Sequence, residues 1–335
     1  MTLEADRITV FECHETQHID RVRLVPVLAQ QRPMVAVCLQ GGGNPFLAFG
    51  TQPTSYWSEV FLYDAVAGRP HQTLAALTSP YEFVAAPGPR TVAGLSYVLP
   101  GELVGLPSRT QAVVSANLAW PWPAYSHPLP VPAVKNVRFE AAVDLHGLGR
   151  RGVALASPER PPMIWDDGEG WRMLEGTLRP RRLYAALPNV LIGLGETASG
   201  ASAAAAWQIN SPFVVHAFGR PKGVTQVAVS TSGNLVALGG PDGISVHRVT
   251  GEEVVERVPV PDRLDGVLLD DTRPEPRVVR VSESGITLWN AVRNVCVADF
   301  PAANEPVIEC QFVPTHSGVK VMLATRRRVF IRDLG

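Results

Sequence analysis

Residues 224–260, VTQVAVSTSGNLVALGGPDGISVHRVTGEEVVERVPV, contain the pattern that decides the fold. Turn-forming residues separate four short runs rich in β-branched and apolar residues. The runs are Val224–Ser230, Leu235–Gly239, Ile244–Val249 and Val254–Val260. Gly233, Gly243 and Gly251 lie in the intervening turns, each next to Asn, Asp or Thr. Four strands joined by tight turns predict one antiparallel meander.

The same unit recurs along the chain with a nearly constant period. We mark the end of each third strand, where in most copies an apolar residue precedes an aromatic-polar pair. The middle residues of these markers are Tyr63, Trp165, Trp207, His247, Trp289 and Arg332. From Trp165 onward, successive markers are 42, 40, 42 and 43 residues apart. A period of about 40–45 residues is typical of the four-stranded blades of β-propellers.

The spacing of the markers predicts seven blades. The interval from Tyr63 to Trp165 is 102 residues, which leaves room for one more blade near Val113. We therefore expect an all-β fold, a seven-bladed β-propeller of four-stranded antiparallel blades that forms a single domain over residues 1–335. In chain order the predicted blades span 18–78, 79–132, 133–178, 179–220, 221–261, 262–302 and 303–335.

The last predicted blade has three strands and lacks a fourth. Its strands are Val307–Val313, Val319–Thr325 and Val329–Leu334. At the other end of the sequence, a β-rich run over residues 7–13 precedes the first strand of blade one. We expect residues 1–13 to complete blade seven as its N-terminal sealing strand, because ring closure removes an open sheet edge.

Residues 223–290 resemble two WD40 repeats. The segment Ser232–Ala237 matches the turn between the first two strands of a repeat together with the second strand. The segments Pro241–Val246 and Ser284–Trp289 match the residues that lead up to the Trp-Asp position. Trp165 and Asp166 form a Trp-Asp pair, and Tyr63 and Asp64 form a similar pair with tyrosine in place of tryptophan. The Gly-His dipeptide of the family is not evident. The resemblance implies a propeller fold and a scaffold role without a specific biochemistry.

Charge and composition exclude several classes of protein. The 30 Lys and Arg are balanced by 31 Asp and Glu, so the chain lacks the positive charge with which nucleic-acid binders neutralise phosphates. No apolar stretch approaches the 18 residues of a membrane span, and the N-terminal residues do not form a secretory signal. The four cysteines form no CxxC pair and are expected to be reduced and buried. These features predict a soluble, cytoplasmic protein.

The sequence His14-Glu15-Thr16-Gln17-His18 has the HExxH pattern of zinc-dependent hydrolases. In those enzymes a helix places both histidines on one face as metal ligands, and the glutamate acts as general base. Here the motif lies between two predicted strands and leaves too little room for a buried helix. We interpret it as the loop that joins the sealing strand to blade one. A metal site formed by His14, Glu15 and His18, next to Asp20, is the alternative.

The segment from Trp120 to His127 is the most unusual stretch of the chain. Its alternating prolines cannot donate to a β-ladder, so we expect a loop after the third strand of blade two. We place Trp171 in the equivalent loop of blade three. Exposed aromatic residues surrounded by polar groups are typical of protein-binding surfaces. The candidate partner-binding residues are Trp120, Trp122, Tyr125 and Trp171; packing of the tryptophans between blades is the alternative.

The sequence favours a non-enzymatic scaffold or adaptor subunit of a multi-protein assembly, with one or more proteins as partners and with no cofactor. The nucleophile motif GxSxG is absent, and neighbouring carboxylates such as Asp270 and Asp271 point to opposite faces of a strand. One alternative is an enzyme, such as a metal-dependent hydrolase, or a metal- or ligand-binding propeller with its site at the central opening around His14, Glu15 and His18. Another is a regulatory propeller of a bacterial multi-protein system.

Overall fold

The computed structural model consists of β-strands joined by turns. It describes residues 7–15, 17–29, 32–43, 57–74, 85–88, 91–98, 110–117, 124–125, 129–130, 141–144, 152–166, 169–186, 189–210, 214–219, 222–230, 232–260, 263–301, 305–313 and 319–335. In this part of the chain, no helix has the length and apolar character that crossing a membrane requires. The contacts divide the chain into two compact units, residues 1–133 with 305–335 and residues 134–304.

The described residues of the first unit form three antiparallel sheets. One sheet joins β2 (His18–Ala29), β3 (Arg32–Gly42), β4 (Trp57–Asp64) and β5 (Arg69–Thr73) in that order. A second sheet contains β6 (Ala85–Gly88), β7 (Thr91–Val98), β8 (Thr110–Asn117), β9 (Ala124–Tyr125) and β10 (Leu129–Pro130). The third has the order β1 (Arg7–Glu12), β29 (Arg328–Asp333), β28 (Lys320–Ala324) and β27 (Glu309–Val313).

The second unit contains four sheets, each a meander of four consecutive strands. They are β11 (Ala141–Asp144), β12 (Gly152–Ser157), β13 (Arg160–Asp166) and β14 (Gly170–Met173); β15 (Arg179–Ala186), β16 (Val190–Glu196), β17 (Ser202–Gln208) and β18 (Val214–Phe218); β19 (Gln226–Val229), β20 (Leu235–Gly240), β21 (Gly243–Arg248) and β22 (Glu253–Val258); and β23 (Leu264–Asp270), β24 (Arg277–Ser282), β25 (Gly285–Asn290) and β26 (Val295–Pro301).

The sheets confirm an all-β propeller of four-stranded antiparallel blades, and six of the sheets in the described part of the chain have four strands. The segment predicted as blade two departs from the prediction, because it forms a sheet of five strands. Both β9 and β10 pair with β8, which also pairs with β7. The two short strands therefore share the remaining side of β8. The prolines of this segment lack the N–H that an uninterrupted strand would donate.

Each of the six sequence markers lies in the third strand of its sheet. Tyr63 lies in β4, Trp165 in β13 and Trp207 in β17, and the remaining markers His247, Trp289 and Arg332 lie in β21, β25 and β29. The regular spacing of the markers along the sequence thus reflects one structural position that recurs from sheet to sheet.

Apolar faces of neighbouring sheets form the core within each unit. In the first unit, buried side chains of β2, β3 and β4 pack against those of β28 and β29. In the second unit, the sheet of β15–β18 packs on that of β19–β22, which also packs on β23 and β24. Contacts of this kind between successive blades are the source of stability in repeat architectures.

Asp64 caps the turn between β4 and β5. Its Oδ1 accepts hydrogen bonds from the backbone N–H groups of Val66 at 2.9 Å and Ala67 at 2.8 Å, and its side chain is buried. We expect Asp64→Ala to lower the free energy of unfolding by about 1–3 kcal/mol, because two donors lose their acceptor. Urea denaturation measures this loss. Asp64→Asn, which keeps a side-chain oxygen, is the control, and an unchanged midpoint in the alanine variant would show that the cap is dispensable.

Candidate functional site

The described residues of the HExxH pattern, His14, Glu15, Gln17 and His18, do not lie in a helix. The backbone N–H of Gln17 donates to the carbonyl oxygen of His14 at 2.8 Å, and His18 is the first residue of β2. His14 and Glu15 are exposed, and the Nε2 of His18 lies 3.2 Å from Oδ1 of Asp20. The described residues contain no group of three or more His, Cys, Asp and Glu placed around a common metal position. The geometry of a zincin is thus not present at this motif.

The turn from β1 to β2 lies against the hairpin that joins β28 to β29. The backbone N–H of Cys13 donates to the carbonyl of Arg327 at 2.8 Å, and that of Ile19 donates to the carbonyl of Arg326 at 2.7 Å. The Arg327 guanidinium in turn donates to the carbonyl of Glu15 at 3.4 Å. These bonds hold the turn in place beside the paired strands β1 and β29.

An open groove of about 690 Å³ lies between this turn and the start of β4. Its lining combines two aromatic rings, three carboxylates, one guanidinium and smaller polar groups, from Phe11, Glu12, Cys13, His14, Glu15, Gln17, Trp57, Glu59 and Arg327. We call it the β1–β4 groove. Ligand pockets of proteins usually have volumes of about 300–1,000 Å³.

Aromatic rings form one wall of the β1–β4 groove. The rings of Phe11 and Trp57 are stacked with centroids 5.8 Å apart, and Phe61 lies 6.4 Å from Phe11. The indole N–H of Trp57 donates to the carbonyl of Gly42 at 3.2 Å. A Cβ atom on Gly41 would lie 2.7 Å from the indole ring, so glycine at this position allows the ring to lie close to β3. The wall is therefore fixed by both packing and hydrogen bonding.

Glu59 places a carboxyl group beside this aromatic wall. Alternation along β4 puts Glu59 on the same side of the strand as Trp57 and Phe61. The carboxyl is half-buried, and this burial raises the pKa of Glu59 above its ordinary value. No hydrogen bond or ion pair to the carboxyl group of Glu59 is present among the described residues. Carboxyl groups with a raised pKa in a cleft are typical of functional sites.

Cys13 lies on the floor of the groove but is not an activated thiol. Its side chain is buried, and burial raises the pKa of Cys13 to about 11, an effect that the nearby Arg327 partly offsets. A thiol with this pKa is protonated at neutral pH and is a poor nucleophile. Cys38 and Cys310 are also buried, whereas Cys296 on β26 is exposed, contrary to the expectation that all four cysteines are buried.

The predicted partner surface is only partly within the described residues. Trp120 and Trp122 lie outside them. Tyr125 lies in β9, where it pairs with Ala116 of β8. Trp171, predicted in a loop, instead lies in β14 directly opposite Trp165, and both are half-buried. The prediction of a loop at Trp171 is wrong because Gly170 already pairs with Asp166, so that Trp171 lies within the paired part of β14.

The residues that form the groove were missed by the sequence-based reasoning, apart from those of the HExxH pattern. A signal was present in Trp57-Ser58-Glu59-Val60-Phe61, where an acidic residue occupies the aromatic face of a strand. A charged residue is rarely placed on the buried face of a strand without a partner or a function. That signal would have indicated Glu59 as a candidate site residue.

No protein-family model matches the chain. A search of curated protein sequences likewise finds none that matches it.

Proposed function

We propose that the chain is a non-enzymatic protein-interaction platform, a WD40-like propeller of seven blades in the cytoplasm that docks a partner protein through the β1–β4 groove. The observation that carries this proposal is the open, fixed wall of Phe11 and Trp57 next to the carboxyl of Glu59. Aromatic anchors near the centre and polar groups around them are typical of protein interfaces.

The proposal of seven blades rests on the sheet of β6–β10. Because β9 and β10 share one side of β8, this sheet has four strand positions, with the outermost one divided between two short strands. The pairing of β1 with β29 supports a ring sealed by the N-terminal strand. A sealed ring suits a platform, because it presents loops on a rigid frame and has no long open edge.

The partner is sought by affinity purification of the tagged protein after mild lysis of its own host. We expect a partner to be recovered in nearly equimolar amounts with the wild type. With Trp57→Leu, the recovered amount should fall about tenfold or more, since tryptophans are enriched among the few interface residues that dominate the binding energy. Quantitative mass spectrometry of the eluates measures the loss. The double variant Trp120→Ala/Trp122→Ala is purified in parallel and tests the aromatic partner surface that the sequence predicts.

Thermal melting of each variant shows whether it remains folded. A partner that is retained by folded Trp57→Leu but lost by the Trp120→Ala/Trp122→Ala variant would move the docking surface away from the groove. Recovery of no partner with any of the baits would contradict the platform function itself.

A further inference from the structure

We infer that the β1–β4 groove binds an arginine side chain presented by the partner protein. This inference rests on the proposed function and names the chemistry of the group that the groove recognises.

The β1–β4 groove is lined by more acidic groups than basic groups. The groove is lined by the carboxylates of Glu12, Glu15 and Glu59 and by one guanidinium, that of Arg327. Arg327 is directed to the backbone carbonyl of Glu15, and no ion pair among the described residues includes any of the three carboxylates. Glu12 and Glu15 alone outnumber the single guanidinium, so the groove has an excess of negative charge, which the ionised form of Glu59 increases. A cationic ligand would complement it.

Glu59 is the acidic residue on the aromatic face of β4. Its carboxyl is half-buried beside Trp57 and Phe61, and burial disfavours its ionised form. A cation bound next to the carboxylate would favour ionisation again. Ligand binding and ionisation of Glu59 therefore support each other.

The aromatic lining favours arginine among cationic side chains. The Phe11 and Trp57 rings both line the groove and are stacked on each other with an interplanar angle of 29°. A guanidinium is planar, stacks on aromatic faces and binds carboxylates with two parallel N–H donors. The lysine ammonium is more strongly hydrated and lacks this flat shape.

The chain segment that precedes Trp57 in the sequence does not contain this cation. Residues 44–56, which connect β3 to Trp57, contain neither Lys nor Arg. With about 690 Å³, the groove is larger than one arginine side chain and has room for the neighbouring residues of a peptide. An arginine within a segment of another protein is therefore the occupant that fits both charge and size.

The experiment uses the full-length protein labelled with 5-fluorotryptophan. Among its seven tryptophans, Trp57 is assigned by the ¹⁹F resonance that disappears in Trp57→Phe. The probe is the capped pentapeptide Gly-Ser-Arg-Ser-Gly, and its control replaces arginine by citrulline, which has the same shape without the charge. We expect the arginine peptide to shift the Trp57 resonance saturably and to bind about fivefold or more tightly than the citrulline peptide.

Glu59→Gln is expected to remove most of this preference for arginine over citrulline. Glu253→Gln, at an exposed glutamate of β22, is the matched control and should bind like the wild type. Equal shifts with both peptides, or no shift with the arginine peptide, would overturn the assignment to arginine. If the partner were nevertheless lost with Trp57→Leu, the docking function would stand with a different ligand; retention of the partner would contradict the docking function as well.

Discussion

Deletion of residues 1–13 is expected to lower the melting temperature by about 10 °C or more and to cause aggregation. The deletion removes β1, whose pairing with β29 runs from Arg7 opposite Arg332 to Glu12 opposite Arg328. It also removes Phe11, which packs on the core of the first unit, and the buried Cys13. The lost apolar burial and strand hydrogen bonds together amount to about 5 kcal/mol or more.

The deletion would also leave β29 as an open edge. The strand includes Val329, Phe330 and Ile331, all buried in the intact protein. An open strand of this apolar character is a template for pairing with other chains. Size-exclusion chromatography and differential scanning calorimetry measure the two effects. A deletion of residues 1–6, which ends before β1, is the control. A melting temperature unchanged by the longer deletion would contradict both the role of β1 and the sealed ring.

Trp207→Ala is expected to destabilise the protein by about 3–5 kcal/mol, the usual cost of removing a large buried aromatic side chain. Trp207 in β17 is fully buried, and its indole N–H donates to the carbonyl of Glu175 at 2.8 Å. Glu175 belongs to the connection between β14 and β15, so this bond ties two successive sheets of the second unit. The ring also lies over Gly193 of β16, where a Cβ atom would be 2.6 Å from it.

Chemical denaturation of two further variants separates the loss of the hydrogen bond from the loss of buried apolar volume. Trp207→Phe keeps most of the apolar volume and loses the N–H donor, so it should cost about 1–3 kcal/mol. Trp171→Ala removes a tryptophan that is only half-buried, and its effect should be clearly smaller than that of Trp207→Ala. Equal losses for Trp171→Ala and Trp207→Ala would show that burial and the bond to Glu175 do not determine the stability.

The fold could be predicted to the level of the four-stranded blade because its length is encoded as a period. The markers at Trp165, Trp207 and Trp289 recur at the same strand position, since each blade needs about the same number of residues for its four strands and their turns. The outer strand of the sheet of β6–β10 could not be predicted in this way. Proline cannot donate to a β-ladder, and the sequence alone does not show where strand pairing continues in this proline-rich segment, as it does at Tyr125.

The candidate site was much less predictable than the fold. The position of the HExxH pattern between two predicted strands indicated a loop before β2, and the chemistry of the pattern depends on a helix that the described residues of this connection do not form. The β1–β4 groove joins Phe11, Trp57 and Arg327, which come from three elements distant in sequence. The pairing of β1 with β29 and the packing of the sheet of β2–β5 against these strands bring the side chains together. A motif search cannot find a site of this kind.

The pairing of β1 with β29 also constrains how the protein is made. The two strands come from opposite ends of the sequence, so a ribosome releases the first long before the second is available. Until then β1 has no partner strand, and the groove that depends on it does not exist. Pairing between distant segments is intrinsically slow and leaves strand edges exposed during folding. A translation product truncated before β29 would lack this pairing and, under the proposed function, would not dock a partner through the groove.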